Sequence, residues 1–486
     1  MTTQPSRPVI PILPVPATGP VDLSFLSMYE KQADIYPRAV KGWFAGWRWT
    51  FVWLTQLFFY GLPWLQWGGR QAVLFDLDAQ RFYILGLVLY PQDLIFLAAL
   101  LVIAAMALFF FTAVAGRLWC GYTCPQTVYT EMFLWVERRI EGDRIARMRL
   151  DKAPWGTEKL ARKGAKQLAW LAIGMFTGFS FVGYFTPIRE LAQAVVTWQV
   201  SGWNTFWILF YGGATYGNAG YLREQICKYM CPYARFQSAL IDNDSLIITY
   251  DTARGDPRGS RSRKIAPAEQ GLGDCIDCTL CVQVCPTGID IRNGLQNECI
   301  ACAACIDVCD DVMDKMGYPK GLISYKTENG VTQKLTRFQM MRRVFRPRVL
   351  VYGAVLAAMS VAFAVSVSLR SPFQFDVIKD RGALSRVVGQ GTVENVYRIQ
   401  IMNRTERTQV YHVAASGPQA LTLSSADVRI APAAIQSVVA TLRLPQAAAL
   451  PWQGRSVPVE FEVRTIDAGR PGAAVQREKS TFQVPR

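Results

Sequence analysis

Cysteine carries the chemistry in this chain. Twelve cysteines fall between Cys120 and Cys309, whereas the 486 residues hold one histidine, His412. A single histidine nearly excludes a Ser-His-Asp hydrolase, a multi-histidine zinc or copper site and bis-histidine haem ligation. Cys275, Cys278, Cys281 and Cys285, with Pro286 next, follow C-x2-C-x2-C-x3-C-P, the bacterial run for a [4Fe–4S] cluster. Cys299, Cys302, Cys305 and Cys309 repeat the spacing, with Asp310 in place of the proline. Closely spaced thiolates let one loop supply three irons of a cubane, and in two-cluster ferredoxins the fourth ligand comes from the other run. The spacing therefore predicts one cluster on Cys275, Cys278, Cys281 and Cys309 and another on Cys299, Cys302, Cys305 and Cys285. Zinc needs only four ligands in two pairs and would leave half of these cysteines unexplained.

The other four cysteines form two C-x3-C-P motifs, Cys120 to Pro125 and Cys227 to Pro232. Positions i and i+4 of a helix share a face, so each motif can present two sulfurs to one point. The proline disfavours helical geometry at the second cysteine, which places a helix end or kink there. Soft thiolates select Cu(I), zinc or iron–sulfur centres. These four residues are therefore read as a copper site or as a dithiol that relays electrons. Met132 and Met230 are nearby candidate thioether ligands, although methionine beside an apolar helix more often only packs. Lys228, Arg223 and Arg117 lie close enough in sequence to lower thiol pKa values, and as anchors of membrane topology they need no such role.

Apolar runs position these motifs. Five approach the roughly 20 residues that cross a bilayer: 43–62, 94–115, 167–185, 191–211 and 349–369. The fourth contains Gln193, Gln199 and Asn204, and a shorter run, 82–90, is expected to lie at the membrane interface. Thirteen of the fourteen tryptophans lie between Trp43 and Trp207, many at run ends, as an aromatic belt requires. Lys and Arg crowd residues 116–166 and 342–348 but are sparse in the links between runs one and two and between three and four. The positive-inside bias then puts the N-terminus, 116–166 and 212–348 in the cytoplasm, and everything after about Ser371 on the exported side. The start of the chain is Pro-rich with no apolar core, which predicts no cleavable signal peptide. Topology accounts for the net charge of +15, so no nucleic-acid partner is expected. Every cysteine then faces a reducing compartment, where thiols serve as metal ligands or redox groups.

After the fifth run the pattern changes to period two. Residues 396–402, 409–414, 437–444 and 457–463 alternate or run β-branched, and turn signals stand at 403–405 and at Gly417-Pro418. Several short strands in this length predict a small antiparallel sandwich that serves as a docking module. His412 lies on one of its strands with no second ligand in view. The chain thus divides into a cytoplasmic tail (1–42), a four-span membrane domain (43–235), a double-cluster cytoplasmic domain (236–348), a fifth transmembrane helix (349–370) and an exported sandwich (371–486). No phosphate-binding G-x-x-x-x-G-K-[ST] or strand-linked G-x-G-x-x-G is present.

This order of parts resembles the CcoG/FixG (also RdxA) accessory proteins of the cbb-class haem–copper oxidase. Residues 36–42, 273–278 and 305–313 carry the likeness along with the cysteine motifs. The resemblance implies an α-helical transmembrane bundle of about five spans, a bacterial-type two-[4Fe–4S] ferredoxin domain and a C-terminal all-β Ig-like sandwich in a multi-pass protein of the bacterial inner membrane. It implies a Cu(II) reductase supplying Cu(I) to the oxidase, with Cys275, Cys278, Cys281, Cys285, Cys299, Cys302, Cys305 and Cys309 holding two clusters. Cys120, Cys124, Cys227 and Cys231 would take part in copper reduction. Expected partners are a cytoplasmic electron donor, oxidase assembly factors or a copper transporter, and the lipid membrane. Two other readings remain open at this stage: a quinol-linked electron-transfer protein of the NapH type, and a non-redox assembly scaffold or copper chaperone.

Overall fold

The computed structural model describes residues 35–263, 270–380, 385–389, 391–418, 420–424, 427–466 and 474–486; most of the expected N-terminal tail, 1–34, lies outside the described residues. Helix α1 (Trp43–Gly61) starts on a cap borrowed from far along the chain. Asp307 accepts hydrogen bonds from the Phe44 and Ala45 amides at 3.1 and 2.7 Å, satisfying donors that a helix start leaves orphaned. Gly42 is required at this junction, because a Cβ there would lie 2.4 Å from Asp307 Cγ.

A three-stranded antiparallel sheet follows, made of β1 (Val73–Asp76), β2 (Arg81–Ile84) and β3 (Leu87–Leu89). Residues 82–90, a run too short to span a bilayer, are mostly the second and third strands of this sheet. Their alternation buries Tyr83, Val88 and Tyr90 with Leu74 against Ala433 of the C-terminal domain, and Leu85 makes the tight turn at φ +52°.

Helix α2 (Leu94–Ala115) is uncharged and apolar apart from Thr112, and no residue of its most apolar window is buried. It stops at Gly116, φ +55°, where a Cβ would sit 2.6 Å from the Leu246 carbonyl oxygen. Helices α3 (Pro125–Ile140), α4 (Thr157–Val182), α5 (Ile188–Val196) and α6 (Gly202–Gly217) follow. The expected fourth span, 191–211, is not one helix. Trp198 takes a left-handed φ of +57° between α5 and α6, and the Ser201 hydroxyl caps α6 by accepting from the Asn204 amide at 3.2 Å. The polar residues that weakened that apolar run mark this break. Helices α4 and α6 approach through glycines: a Cβ on Gly178 would come within 2.3 Å of the Ile208 oxygen, and one on Gly174 within 2.8 Å of the Gly212 oxygen.

The cysteine-rich cassette is framed by β4 (Ile247–Tyr250) paired antiparallel with β5 (Ile323–Lys326), with α7 (Ala304–Met316) between them. Helix α8 (Pro347–Ser368) then runs antiparallel to α2: Phe363 meets Phe96 edge-on, and Gly353 faces Phe110. Both ends of the pair are clamped. Arg346 reaches the Ala113 carbonyl at 2.6 Å and Asp242 at 2.8 Å, and at the other end Asp93 pairs with Arg370 and, at 3.0 Å, with Arg404. Among the described residues two helices, α2 and α8, are long and apolar enough to cross a membrane. The others are shorter or bury polar groups, such as Arg48 and Gln56 on α1 and Lys166 on α4.

The C-terminal domain is an Ig-like sandwich of β6 (Phe373–Lys379), β7 (Arg386–Val388), β8 (Thr392–Asn403), β9 (Gln409–Ser416), β10 (Thr422–Ser424), β11 (Val428–Ile430), β12 (Ile435–Leu444), β13 (Ser456–Thr465) and β14 (Val475–Gln483). One sheet runs β10-β12-β8-β6, with β7 also on β8, and the other runs β11-β9-β13-β14. All four segments expected to be strands lie within β8, β9, β12 and β13. Their inward alternation buries Tyr397, Ile399 and Ile401 against Tyr411, Val413, Phe461 and Val463.

Candidate functional site

The two cysteine runs adopt the same unusual backbone at equivalent places. Asp277 and Thr279 flank Cys278 with φ of +53° and +57°, and Ala301 and Ala303 flank Cys302 with +54° and +59°. Non-glycine residues avoid this region at a cost of about 1–2 kcal/mol each, and it persists only where surrounding structure enforces it. The turns send the chain back so that the third cysteine of each run enters a helix, Cys281 in residues 280–283 and Cys305 in α7.

Two cavities result. The first is lined by Cys275, Cys278, Cys281 and Cys309 with Tyr250, Leu322 and other apolar groups. The second is lined by Cys285, Cys299, Cys302 and Cys305, with Cys281 shared and Ile248, Ile289 and Ile300 in its wall. The fourth cysteine of each run thus stands at the other run's cavity. Burial pushes Cys281 up to about 11 and Cys299 and Cys309 to about 12, because an apolar setting penalises thiolate. Among the described residues no three His, Cys, Asp or Glu side chains close on a single ion. Four thiols spread around an apolar chamber suit a multi-atom cluster better than one tetrahedral metal.

The C-x3-C-P motifs straddle helix boundaries. Cys120 sits in a short helix, Leu118–Tyr122, while Cys124 is extended (ψ 128°) and precedes Pro125 at the first turn of α3. Cys227 lies in a widened π-turn, Ile226–Met230, and Cys231 (ψ 111°) precedes the helix Pro232–Leu240. The prolines end one helix and start the next, so neither pair occupies one continuous helix face. The two motifs interlock: buried Gln237, on the helix after Cys231, contacts the Cys120 sulfur at 3.3 Å through Nε2, and Arg117 donates to the Ala234 carbonyl at 3.0 Å. Cys124, Cys120 and Cys231 each act electrostatically on Cys227.

Basic neighbours do not bring Cys120 or Cys227 below the ordinary thiol range. Burial dominates and pushes Cys120 up to about 11 and Cys227 to about 12, against a smaller opposing effect of Arg117 on Cys120. Arg223 is engaged by Glu137 at 2.6 Å. Met132 packs beside Phe133 and Trp170, while Met230 is 61% exposed. His412, on strand β9 of the sandwich, pairs with Asp427 at 2.7 Å.

The pairs and the cassette touch at the second cavity. Cys120 and Cys227 pack against the apolar cluster of Val284, Ile300, Cys302 and Ala304. Gly121 lies so close to this loop that a Cβ would fall 2.8 Å from the Ile300 and Ala301 carbonyl oxygens. Tyr325 donates to the Ala301 carbonyl at 2.6 Å and lies 3.5 Å from the Tyr122 hydroxyl. Gly121, Asp307, Gln237 and Tyr325 escape a reading of spacing alone. Gly121 and Asp307 stand inside cysteine motifs, yet their partners are distant in sequence.

Comparison with known proteins matches residues 222–328 to a 4Fe-4S dicluster domain, residues 97–142 to a 4Fe-4S binding domain and residues 363–485 to the Ig-like fold at the C-terminal of FixG. The 97–142 segment holds only Cys120 and Cys124, too few for a cluster of its own. The chain is 39% identical over 429 residues to the nitrogen fixation protein FixG of Rhizobium meliloti, a match covering 82% of each chain. It is 38% identical to RdxA of Cereibacter sphaeroides, over 94% of this chain and 99% of that one. RdxB of the same organism is 38% identical over 83% of this chain and 86% of its own.

Proposed function

The chain belongs to the FixG/RdxA family, and from that premise we propose that it is a membrane-bound iron–sulfur protein that reduces Cu(II) to Cu(I) for assembly of a cbb-class cytochrome c oxidase. The observation that carries this reading is the contact of Cys120 and Cys227 with the second four-thiol cavity. Cys275, Cys278, Cys281 and Cys309 hold one [4Fe–4S] cluster, and Cys285, Cys299, Cys302 and Cys305 hold the other. When bound, these clusters supply two adjacent one-electron carriers.

The residues of this chain do the rest. The left-handed turns at Asp277, Thr279, Ala301 and Ala303 fix the thiols around the two chambers, and Gly121 lets the first C-x3-C-P motif approach the Cys302 loop. Cu(II), the substrate, takes one electron that originates in a cytoplasmic donor. The resulting Cu(I) is held by the soft sulfurs of Cys120, Cys124, Cys227 and Cys231. These thiols must shed protons to bind it. A partner protein, an assembly factor or a copper transporter, then accepts the ion.

Helices α2 and α8 cross the inner membrane. Their apolar surfaces are uncovered, so they are not the buried core of a soluble fold. Helices α1, α4 and the α5–α6 pair complete a bundle of about five passes. The cassette is cytoplasmic, where Arg and Lys concentrate, and the sandwich is exported.

Cys124→Ser and Cys231→Ser test the assignment. Each abolishes copper reduction by anaerobically purified protein while iron–sulfur absorption stays intact. Normal Cu(II) reduction by both variants would displace the site from these motifs, and quinol oxidation without copper reduction would favour the quinol-linked reading.

A further inference from the structure

The charges beside the two cavities are unequal. Arg292 lines the first, but its guanidinium is offset by Asp290 at 2.7 Å and by Asp277. A third carboxylate, Asp310, acts directly on Cys309. The second cavity adjoins Arg48 of α1, which lines a space shared by α1, α3 and the loop carrying Cys302. Arg48 is 8% exposed, its Nε has no hydrogen-bond partner, and among the described residues it makes no ion pair. Cys302 exerts the largest charge effect on it, and Arg48 the largest on Cys302. Two carboxylates also face Arg48: Asp307, committed to capping α1, and Glu131, bound to Arg138 at 3.1 Å.

The two carboxylates favour the charge on Arg48 but are engaged elsewhere, so among the described residues it has no ion-pair partner of its own. A buried cation left unpaired costs several kcal/mol. Four thiolates around an iron–sulfur core sum to a negative charge that grows by one on reduction, and they supply that missing partner. Reduction potentials of such clusters respond to local charge and solvent exposure. Screening by salt is weak for buried charges.

We propose that Arg48 is a positioning residue for the electron: its charge raises the potential of the cluster on Cys285, Cys299, Cys302 and Cys305 above that of the cluster on Cys275, Cys278, Cys281 and Cys309. The inference rests on the cluster assignment made above. One electron from a donor of the reduced-flavin or iron–sulfur class reduces the first cluster, which is reoxidised as the second takes that electron. No bond forms or breaks and no proton moves. Exposed Cys278 marks the entry face, and the electron comes to rest beside Cys120 and Cys227.

An EPR-monitored redox titration of the full-length protein, with iron and sulfide counted, tests this. Arg48→Met lowers the higher midpoint by at least tenfold in the one-electron equilibrium, about 59 mV, and leaves the lower one in place. Arg48→Lys keeps most of the wild-type value. Glu131→Gln removes an opposing charge and moves the same midpoint upward, which preserves the test if Arg48→Met binds less iron. Wild-type protein without two clusters overturns the cluster assignment and this inference with it. Two intact clusters whose midpoints stay fixed in both Arg48→Met and Glu131→Gln, or shift equally, overturn the inference alone.

Discussion

The eight cassette cysteines and the four of the C-x3-C-P motifs meet at one wall, yet their backbones are built on different terms. In the cassette, four non-glycine residues beside Cys278 and Cys302 are held at left-handed φ, and the thiols ring two chambers. In the motifs, Cys124 and Cys231 rest at ordinary φ of −57° and −75° ahead of a helix-starting proline, and the Cys120 sulfur is occupied by Gln237. Strain sustained by surrounding structure suits a resident cofactor that stabilises the loops once bound. Thiols at ordinary backbone geometry, one of them contacted by a neutral amide, suit a visiting ion. The contrast fits a division between carrier and substrate, and it can be attacked from either side.

The largest effect is expected from the fourth cysteines. Cys309→Ser removes a thiol from the chamber otherwise built by Cys275, Cys278 and Cys281, and Cys285→Ser removes one from the chamber of Cys299, Cys302 and Cys305. Each variant loses about half its iron, and the two show different residual EPR signals. A Cys309→Ser residual spectrum that matched that of Cys302→Ser rather than that of Cys278→Ser would show that each run keeps its own fourth ligand. A smaller but more selective effect follows from Gly121→Val. Its branched side chain cannot fit 2.8 Å from the Ile300 and Ala301 oxygens, so the motif must back away from the loop. Overpacking of this kind costs about 1–3 kcal/mol. Iron content stays near wild type, while copper reduction falls at least tenfold in a stopped-flow assay. Unchanged rates would mean that the contact carries no electron.

Asp307 gives a milder test of how the cassette is joined to α1. Its carboxylate receives the Phe44 and Ala45 amides, and losing a cap of this kind costs about 1 kcal/mol. Asp307→Ala therefore lowers the midpoint of thermal unfolding by a few degrees and leaves both cluster signals in place. Loss of a cluster in this variant would mean that α1 helps to shape the second chamber, which would blur the separation of the two cysteine sets.

What could be read from the chain alone follows from the range of the interactions involved. Cysteine spacing, the apolar lengths of α2 and α8 and the alternation of β8, β9, β12 and β13 are local signals, and all are legible. The break between α5 and α6 is only half legible. Gln199 and Asn204 hint at it, but the left-handed Trp198 that turns the chain does not look like a turn residue. The 82–90 run is too short to span, and its aromatic residues suit a strand as well as an interface. Its strand pairing and its packing against Ala433, some 340 residues on, are therefore not legible locally. Two contacts around the cysteine motifs also join partners that no spacing rule reaches: Gln237 lies 117 residues from Cys120, and Asp307 lies 263 from Phe44.

The smallest expected effect bears on the contrast itself. Thr279 is exposed, β-branched and held at φ +57°, where glycine would sit without a steric penalty. Thr279→Gly relieves a cost of about 1–2 kcal/mol in the folded loop, part of which is returned by the more flexible unfolded chain. The net gain is about 0.5–1 kcal/mol, read as a higher unfolding midpoint of the metal-free protein. With the clusters in place the gain shrinks, because bound sulfur and iron already enforce the turn. If the variant is destabilised in both states, the loop near Cys278 is not under backbone strain, and the preorganisation that sets the cassette apart from the C-x3-C-P motifs must come from packing alone.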